Sequence, residues 1–123
     1  MAGVNDPVPA SWTTTTDTFA CFWVCQTTHA ADTFYVSPDS RLADGKFRIL
    51  LARSSAGRAN LVRSFLSFED GSHVKQSWVE IVECTAFRLE PQTTNSHVAL
   101  DGEEIEYGVV QAKVEPSATN VYA

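Results

Sequence analysis

The residues that could do chemistry gather in a few places, and the most unusual of them is an acid at the turn of a hairpin. Asp101-Gly102 reads as a two-residue loop that needs positive φ at both central positions, with alternating residues on each side. That loop pairs Leu100 with Glu103 and Val98 with Ile105, so Val98, Leu100, Ile105 and Tyr107 share one face. Glu103 shares the same face, whereas Glu104 and Glu106 point the other way, to solvent. Glu103 therefore sits at the tip of an apolar face. It is either an ordinary solvated turn acid or one that reaches past the sheet edge to a partner.

Phosphoryl transfer needs a phosphate cradle, a metal or cationic clamp, and a base on the acceptor hydroxyl. No cradle is legible, because the glycines at 3, 45, 57, 71, 102 and 108 are scattered singly and no strand leads through a Gly-rich turn into a helix. Ser54-Ser55-Ala56-Gly57-Arg58 opens a helix and could hold an anion, but an ordinary capped start explains it equally. His73 follows a helix stop, as a packed or solvated turn residue or as a pocket group. His29 and His97 have no partner nearby in sequence, so a zinc site with the cysteines would have to be assembled by folding. Cys21 and Cys25 lie on one face of a strand, about 13 Å apart and too far to bridge. With Cys84 they make an odd number and read as inert buried thiols in a reducing compartment, the cytosol. No Ser, His and acid stand in a hydrolase motif.

The elements that must position these groups are mostly strands. Residues 1–17, with Pro7, Pro9 and the threonines 13–16, read as a flexible tail or linker remnant. Residues 18–26, TFACFWVCQ, form a continuous aromatic and β-branched run that predicts a strand buried on both faces. Residues 33–36 are a short strand or a loop edge. Turn chemistry over 37–45 leads into a strand at 46–53, with Asp44-Gly45 as a second hairpin-like connection. Residues 54–70 change period. Ala59, Leu61, Val62, Phe65, Leu66 and Phe68 cover about 180° of a helix, with Asn60, Arg63, Ser64, Ser67 and Asp70 opposite. Ser54 or Ser55 would cap this helix and Gly71 would end it in a left-handed turn. A docked surface helix needs an apolar arc of only about 100°, so the surplus is either covered by further chain or lines a ligand pocket. Strands follow at 78–83 and 85–90, then the hairpin and the 111–116 strand. The expected fold is mainly β, an antiparallel β-sandwich with one amphipathic helix packed against it. The domain would span 18–116, with 117–123 fraying.

A chain of 123 residues with 44% hydrophobic and 20% charged residues is one globular domain. The net charge of −6 argues against nucleic acid as partner and is compatible with a cationic ligand. The longest apolar run, 19–25, is too short to cross a bilayer, so any membrane contact would be peripheral. No internal repeat and no secretory leader stand out.

The stretch F-R-L-E-P at 87–91, the V-x-L-D-G-E-x-x-E-Y-G hairpin at 98–108 and the Q-A-x-V-x-P strand at 111–116 together resemble the C-terminal end of the sphingosine kinases. Those belong to the diacylglycerol, sphingosine and ceramide lipid-kinase superfamily. The resemblance extends upstream through Asp44-Gly45 and residues 58–73. It implies a C-terminal β-sandwich domain that supplies one wall of a lipid pocket, while the nucleotide loops and the catalytic base lie in an N-terminal domain absent here. Carried over by position, Asp101, Gly102 and Glu103 would approach ATP, and Leu61, Phe65 and His73, with Phe68 nearby, would line the sphingoid lipid. Ser64 stands where the family leads one to expect a large aliphatic residue, placing a hydroxyl beside the lipid path. ATP and Mg²⁺ would be bound mainly by the missing domain, with no metal ligand here. The parent would be cytoplasmic and peripherally membrane-associated, and the isolated chain would be inactive. The rival readings are a ceramide- or diacylglycerol-directed kinase domain and a non-enzymatic interaction module.

Overall fold

The computed structural model describes residues 3–94 and 96–118. Seven strands run in the order β1 (Phe19–Cys25), β2 (Phe47–Arg53), β3 (Val79–Cys84), β4 (Ala86–Leu89), β5 (Val98–Leu100), β6 (Glu103–Ile105) and β7 (Val110–Lys113), with one α-helix, α1 (Arg58–Leu66), between β2 and β3. All strand pairs are antiparallel: β1-β2-β3, β4-β7 and β5-β6. The chain divides into two units. One holds Met1–Thr13 and Ala86–Lys113, the other Thr14–Thr85 and Val114–Ala123. The fraying expected after residue 116 falls largely on 119–123, outside the described residues.

In the second unit, Trp23 pairs with Leu50 and Leu50 with Ile81, so one row of side chains crosses the three-stranded sheet. Cys25, Val36, Leu50 and Phe68 are buried on this face, with Cys21, Trp23, Phe34, Val79 and Ile81 packed around them. Strand alternation puts Cys21 and Cys25 together on it, as the spacing predicts. Burial first, and Cys21 second, pushes the Cys25 thiol up to about 11, which keeps it neutral and unreactive. The strand buried on both faces is β2, not β1: Phe47 to Ala52 are all buried, while β1 is half-buried except at Cys25 and the exposed Ala20. The reason is topological. The central strand is flanked on both edges, and among the described residues β1 has a partner strand on only one.

The long connection 26–46 makes an isolated bridge, Ala31 to Phe34, and no strand at 33–36. Asp44-Gly45 closes this connection rather than a hairpin. Its carboxylate accepts from the backbone N–H groups of Arg41 and Lys46, both at 3.1 Å, and from the Arg48 guanidinium. Arg48 also meets Glu83, its cross-strand partner, at 3.1 Å. The Arg48 hydrogen bond is the main cause that holds the Asp44 carboxyl below the usual carboxylate range.

The helical segment differs from its sequence reading at both ends. Ser54–Ala56 forms a 3₁₀ turn, and α1 begins only after Gly57, which has φ 85° and offers no side-chain cap. Asn60 instead reaches back to the carbonyl of Ala56 at 3.0 Å. The helix closes at Leu66, and Gly71 is left-handed at φ 75° as the lead into a second 3₁₀ turn, Ser72–Lys75.

In the first unit, β4 and β7 pair from Ala86 with Lys113 to Leu89 with Val110. Arg88 donates to the Gln111 side chain at 2.7 Å and to the carbonyls of Asp6 and Gly3 at 2.7 and 3.0 Å. The arginine of F-R-L-E-P thus ties residues 3–6 to this sheet.

Gly71 is a sharp test of the packing. A Cβ there would lie 2.8 Å from both Pro38 Cγ and Tyr35 Cδ1, and the positive φ disfavours any side chain. Gly71→Ala should lower the unfolding free energy by about 1–3 kcal/mol, measured by chemical denaturation; an unchanged midpoint would mean the 68–73 turn is packed differently.

Candidate functional site

Helix α1 is docked in an unusual sense. Its one buried residue is polar: Ser64 is 5% exposed. The apolar residues Val62, Phe65 and Leu66 are 56%, 60% and 72% exposed. A helix held by hydrophobic burial would show the reverse. The explanation is a set of hydrogen bonds on the inner flank. The Trp78 indole N–H donates to Ser64 Oγ at 2.7 Å, and Ser64 Oγ donates to Gln76 Oε1 at 2.6 Å, with the Asn60 carbonyl at 3.2 Å. The Gln76 amide donates to Ser67 Oγ at 3.1 Å, and Ser67 Oγ in turn donates to the Arg63 carbonyl at 2.7 Å. Every buried polar atom in this chain of contacts has a partner, which is the condition for such a network to hold a helix.

Just past the helix, Phe68 enters the core. Its ring meets Trp23 edge-on at 6.0 Å, Phe34 at 6.1 Å and His73 at 4.6 Å. Phe65 contacts Phe34 at 5.7 Å and Phe68 at 5.9 Å while its outer edge stays open. His73 is wholly buried, with Nε2 2.8 Å from the Val36 carbonyl oxygen. A carbonyl can only accept, so Nε2 carries a proton. Nδ1 has no hydrogen-bond partner among the described residues.

The structure therefore brings Phe65, Phe68 and His73 into one aromatic cluster. Ser64 stands on the adjoining inner flank with its hydroxyl fully engaged, and Leu61 is half-buried on the same helix. Reading the sequence missed Gln76 and Trp78. Neither carries a motif, and their part in the site follows only from the turn that returns the chain to α1.

Asp101, Gly102 and Glu103 lie in the other unit. The hairpin forms in the expected register, Val98 with Ile105 and Leu100 with Glu103, and Asp101 and Gly102 have φ of 50° and 83°. Glycine is needed at the second position because its φ is one that side chains rarely tolerate. Val98, Ile105 and Tyr107 are half-buried, whereas Leu100, Asp101 and Glu103 are exposed. Among the described residues the Glu103 carboxylate makes no hydrogen bond or ion pair. His97, unpartnered in the sequence reading, meets Glu104 across the hairpin at 2.5 Å. His29 lies against Thr28 at 2.8 Å and stacks on Tyr35. Among the described residues no three His, Cys, Asp or Glu side chains come close enough to share a metal ion. Nor is any helix there long and apolar enough to cross a membrane.

Residues 11–123 match the model of the YegS C-terminal NAD kinase beta sandwich-like domain. The chain belongs to that family. Curated relatives within reach of this domain are human sphingosine kinase 2, 34% identical over 92% of this chain, and human sphingosine kinase 1, 32% identical over 95%. Sphingosine kinase 1 of Caenorhabditis elegans is 24% identical over 87% of the chain. The YegS-type domain described here spans 18% of the length of the first relative and 31% of the second.

The network makes a specific prediction about energetics. Ser64→Ala should cost about 1–3 kcal/mol by leaving the Trp78 donor and the Gln76 acceptor unmatched. Adding Trp78→Phe should then cost less than it does alone. Additive losses in the double-mutant cycle would show that the two side chains do not interact.

Proposed function

We propose that this chain is the C-terminal lipid-binding domain of a sphingosine-kinase-like enzyme, which transfers the γ-phosphate of ATP to the primary hydroxyl of a sphingoid base. The observation that carries this reading is the open apolar flank of α1 beside the Phe65, Phe68 and His73 cluster, in a domain similar to sphingosine kinases over most of its length. Leu61 and Phe65 offer apolar surface to the alkyl chain of a sphingoid base, and the buried Phe68 ring and His73 imidazole back that wall from within the core. Ser64 acts from behind the wall. Its hydroxyl is already committed to Gln76 and Trp78, so it fixes the helix rather than selecting the lipid.

Asp101, Gly102 and Glu103 form the tip that approaches ATP. The free carboxylate of Glu103 suits a contact with the ribose or with a donor group of a second domain, because an exposed acid without an internal partner loses no native bond when it moves to a ligand. Magnesium is commonly held by one or two carboxylates together with substrate phosphates, and the scattered single glycines of this chain offer those phosphates no cradle. ATP and Mg²⁺ are therefore assigned to the rest of the parent, together with the base that takes the hydroxyl proton. In that parent the lipid's oxygen bonds to the γ-phosphorus as the bond to ADP breaks. The enzyme acts in the cytoplasm and meets its substrate at a membrane surface.

Amide NMR during titration with sphingosine, kept below its aggregation threshold, tests the lipid wall. Saturable shifts should cluster at Leu61, Phe65, Phe68 and His73, and a well-dispersed spectrum without them would overturn the pocket. The isolated chain should show no ATP-dependent sphingosine phosphorylation; turnover that survives repurification and is lost in Glu103→Ala would contradict the division of labour between domains.

A further inference from the structure

The outer flank of α1 carries a second feature that a lipid pocket does not use. At 100° per residue, Phe65, Val62 and Leu66 span an arc of about 100°. Val62 and Leu66 lie on its solvent side, away from the aromatic cluster. Arg58 stands one turn before Val62 within this arc, and Arg63 lies just beyond Leu66. Both arginines are exposed. Of the other described cations, Lys46 and Arg48 are matched with Glu83, Arg53 with Glu80 and Arg88 with Glu90, while Arg41, which donates to the Ser40 carbonyl, and Lys75 form no ion pair among the described residues. Arg58 and Arg63 have no ion-pair partner among the described residues, Arg63 reaching only the Asn60 amide oxygen at 3.5 Å. The segment 54–66 contains no Asp or Glu in a chain of net charge −6. Glu69 and Asp70 come only after the helix has ended, and Asp70 is turned onto the Ser72 N–H at 2.9 Å.

We propose that α1 is a membrane-docking element, which inserts Val62 and Leu66 into the headgroup region of an anionic bilayer with Arg58 and Arg63 on the lipid phosphates and carboxylates. Exposed apolar side chains flanked by unpaired arginines are the chemistry that an anionic interface recognises, and arginine stems can lie along the acyl boundary while their heads stay among the headgroups. A protein partner fits less well. A helix of nine residues is about 13.5 Å long, and three side chains fall far short of the about 800 Å² per partner of a stable interface. The inference deepens the lipid-kinase reading by giving the domain a way to meet a substrate that resides in a membrane, but its key residues are different ones.

Co-sedimentation of this chain with vesicles of equimolar phosphatidylcholine and phosphatidylserine, against phosphatidylcholine alone, reads the effect directly. Partitioning should favour the anionic vesicles by about 30-fold, the factor for two arginines near such a surface, and should weaken as salt is raised. Val62→Asp with Leu66→Asp should abolish binding, and Arg58→Gln with Arg63→Gln should reduce it to the level on neutral vesicles. Dispersed NMR spectra of both variants establish that they fold. No binding, equal binding to both vesicles, binding indifferent to Val62 and Leu66, or self-association through those residues would each overturn the proposal. Because neither belongs to the pocket wall, the double aspartate variant should still give the sphingosine-induced shifts at Leu61 and His73. In the wild-type chain, absent vesicle binding with those shifts present refutes the docking proposal and leaves the pocket standing, whereas absent shifts with vesicle binding present refute the pocket and leave docking standing.

Discussion

The hydroxyl of Ser64 is the contact on which the rest of the helix depends. It accepts from Trp78 and donates to Gln76, and through them a short helix is fastened to the start of β3 and to the turn before it. Net hydrogen bonds are worth little individually, but leaving such buried groups unmatched costs about 1–3 kcal/mol each. The network therefore fixes the rotation of α1 more sharply than a greasy contact would. With the polar flank turned in, Val62, Phe65 and Leu66 have to face outward. The open apolar surface is a consequence of how the helix is held.

Phe68 complements that arrangement. It leaves the end of α1 and enters the core among Cys25, Val36 and Leu50, so the hydrophobic anchoring expected of the helix is supplied by a residue just beyond it. His73 closes the same corner through the Val36 carbonyl. The helix is thus fixed at two places, by polar contacts along its length and by an aromatic ring past its end. Between them the cluster keeps one open edge, at Phe65.

The strands and the 98–105 hairpin were legible because their signals are local. Alternation and Asp-Gly turn chemistry determine pairing without help from distant residues, and Leu100 does face Glu103. Helix α1 was legible as a helix but not in its orientation. Its apolar arc leaves open whether the surplus is covered by further chain or lines a pocket, and the partners that turn the polar flank inward, Gln76 and Trp78, lie well downstream and carry no periodic signal. The cap was misjudged for a related reason: Ser54 and Ser55 are good caps by type, yet Gly57 takes a positive φ that interrupts the helix after them. The central position of β2 depends on strand order, which composition cannot reveal, so the aromatic run of β1 looked more buried than it is. The resemblance to sphingosine kinases came from F-R-L-E-P and the hairpin, and the similarity over 92–95% of the chain agrees with it.

The central claim is that α1 is held by its polar flank in the free chain, with its apolar flank already open. Amide hydrogen exchange tests this without any ligand. The account predicts that the amides of residues 62–66 are protected to an extent approaching those of β2, because opening the helix must break the Ser64, Gln76 and Trp78 contacts. Exchange of those amides at unfolded rates while β2 stays protected would contradict it, and would mean that the helix needs a partner to form.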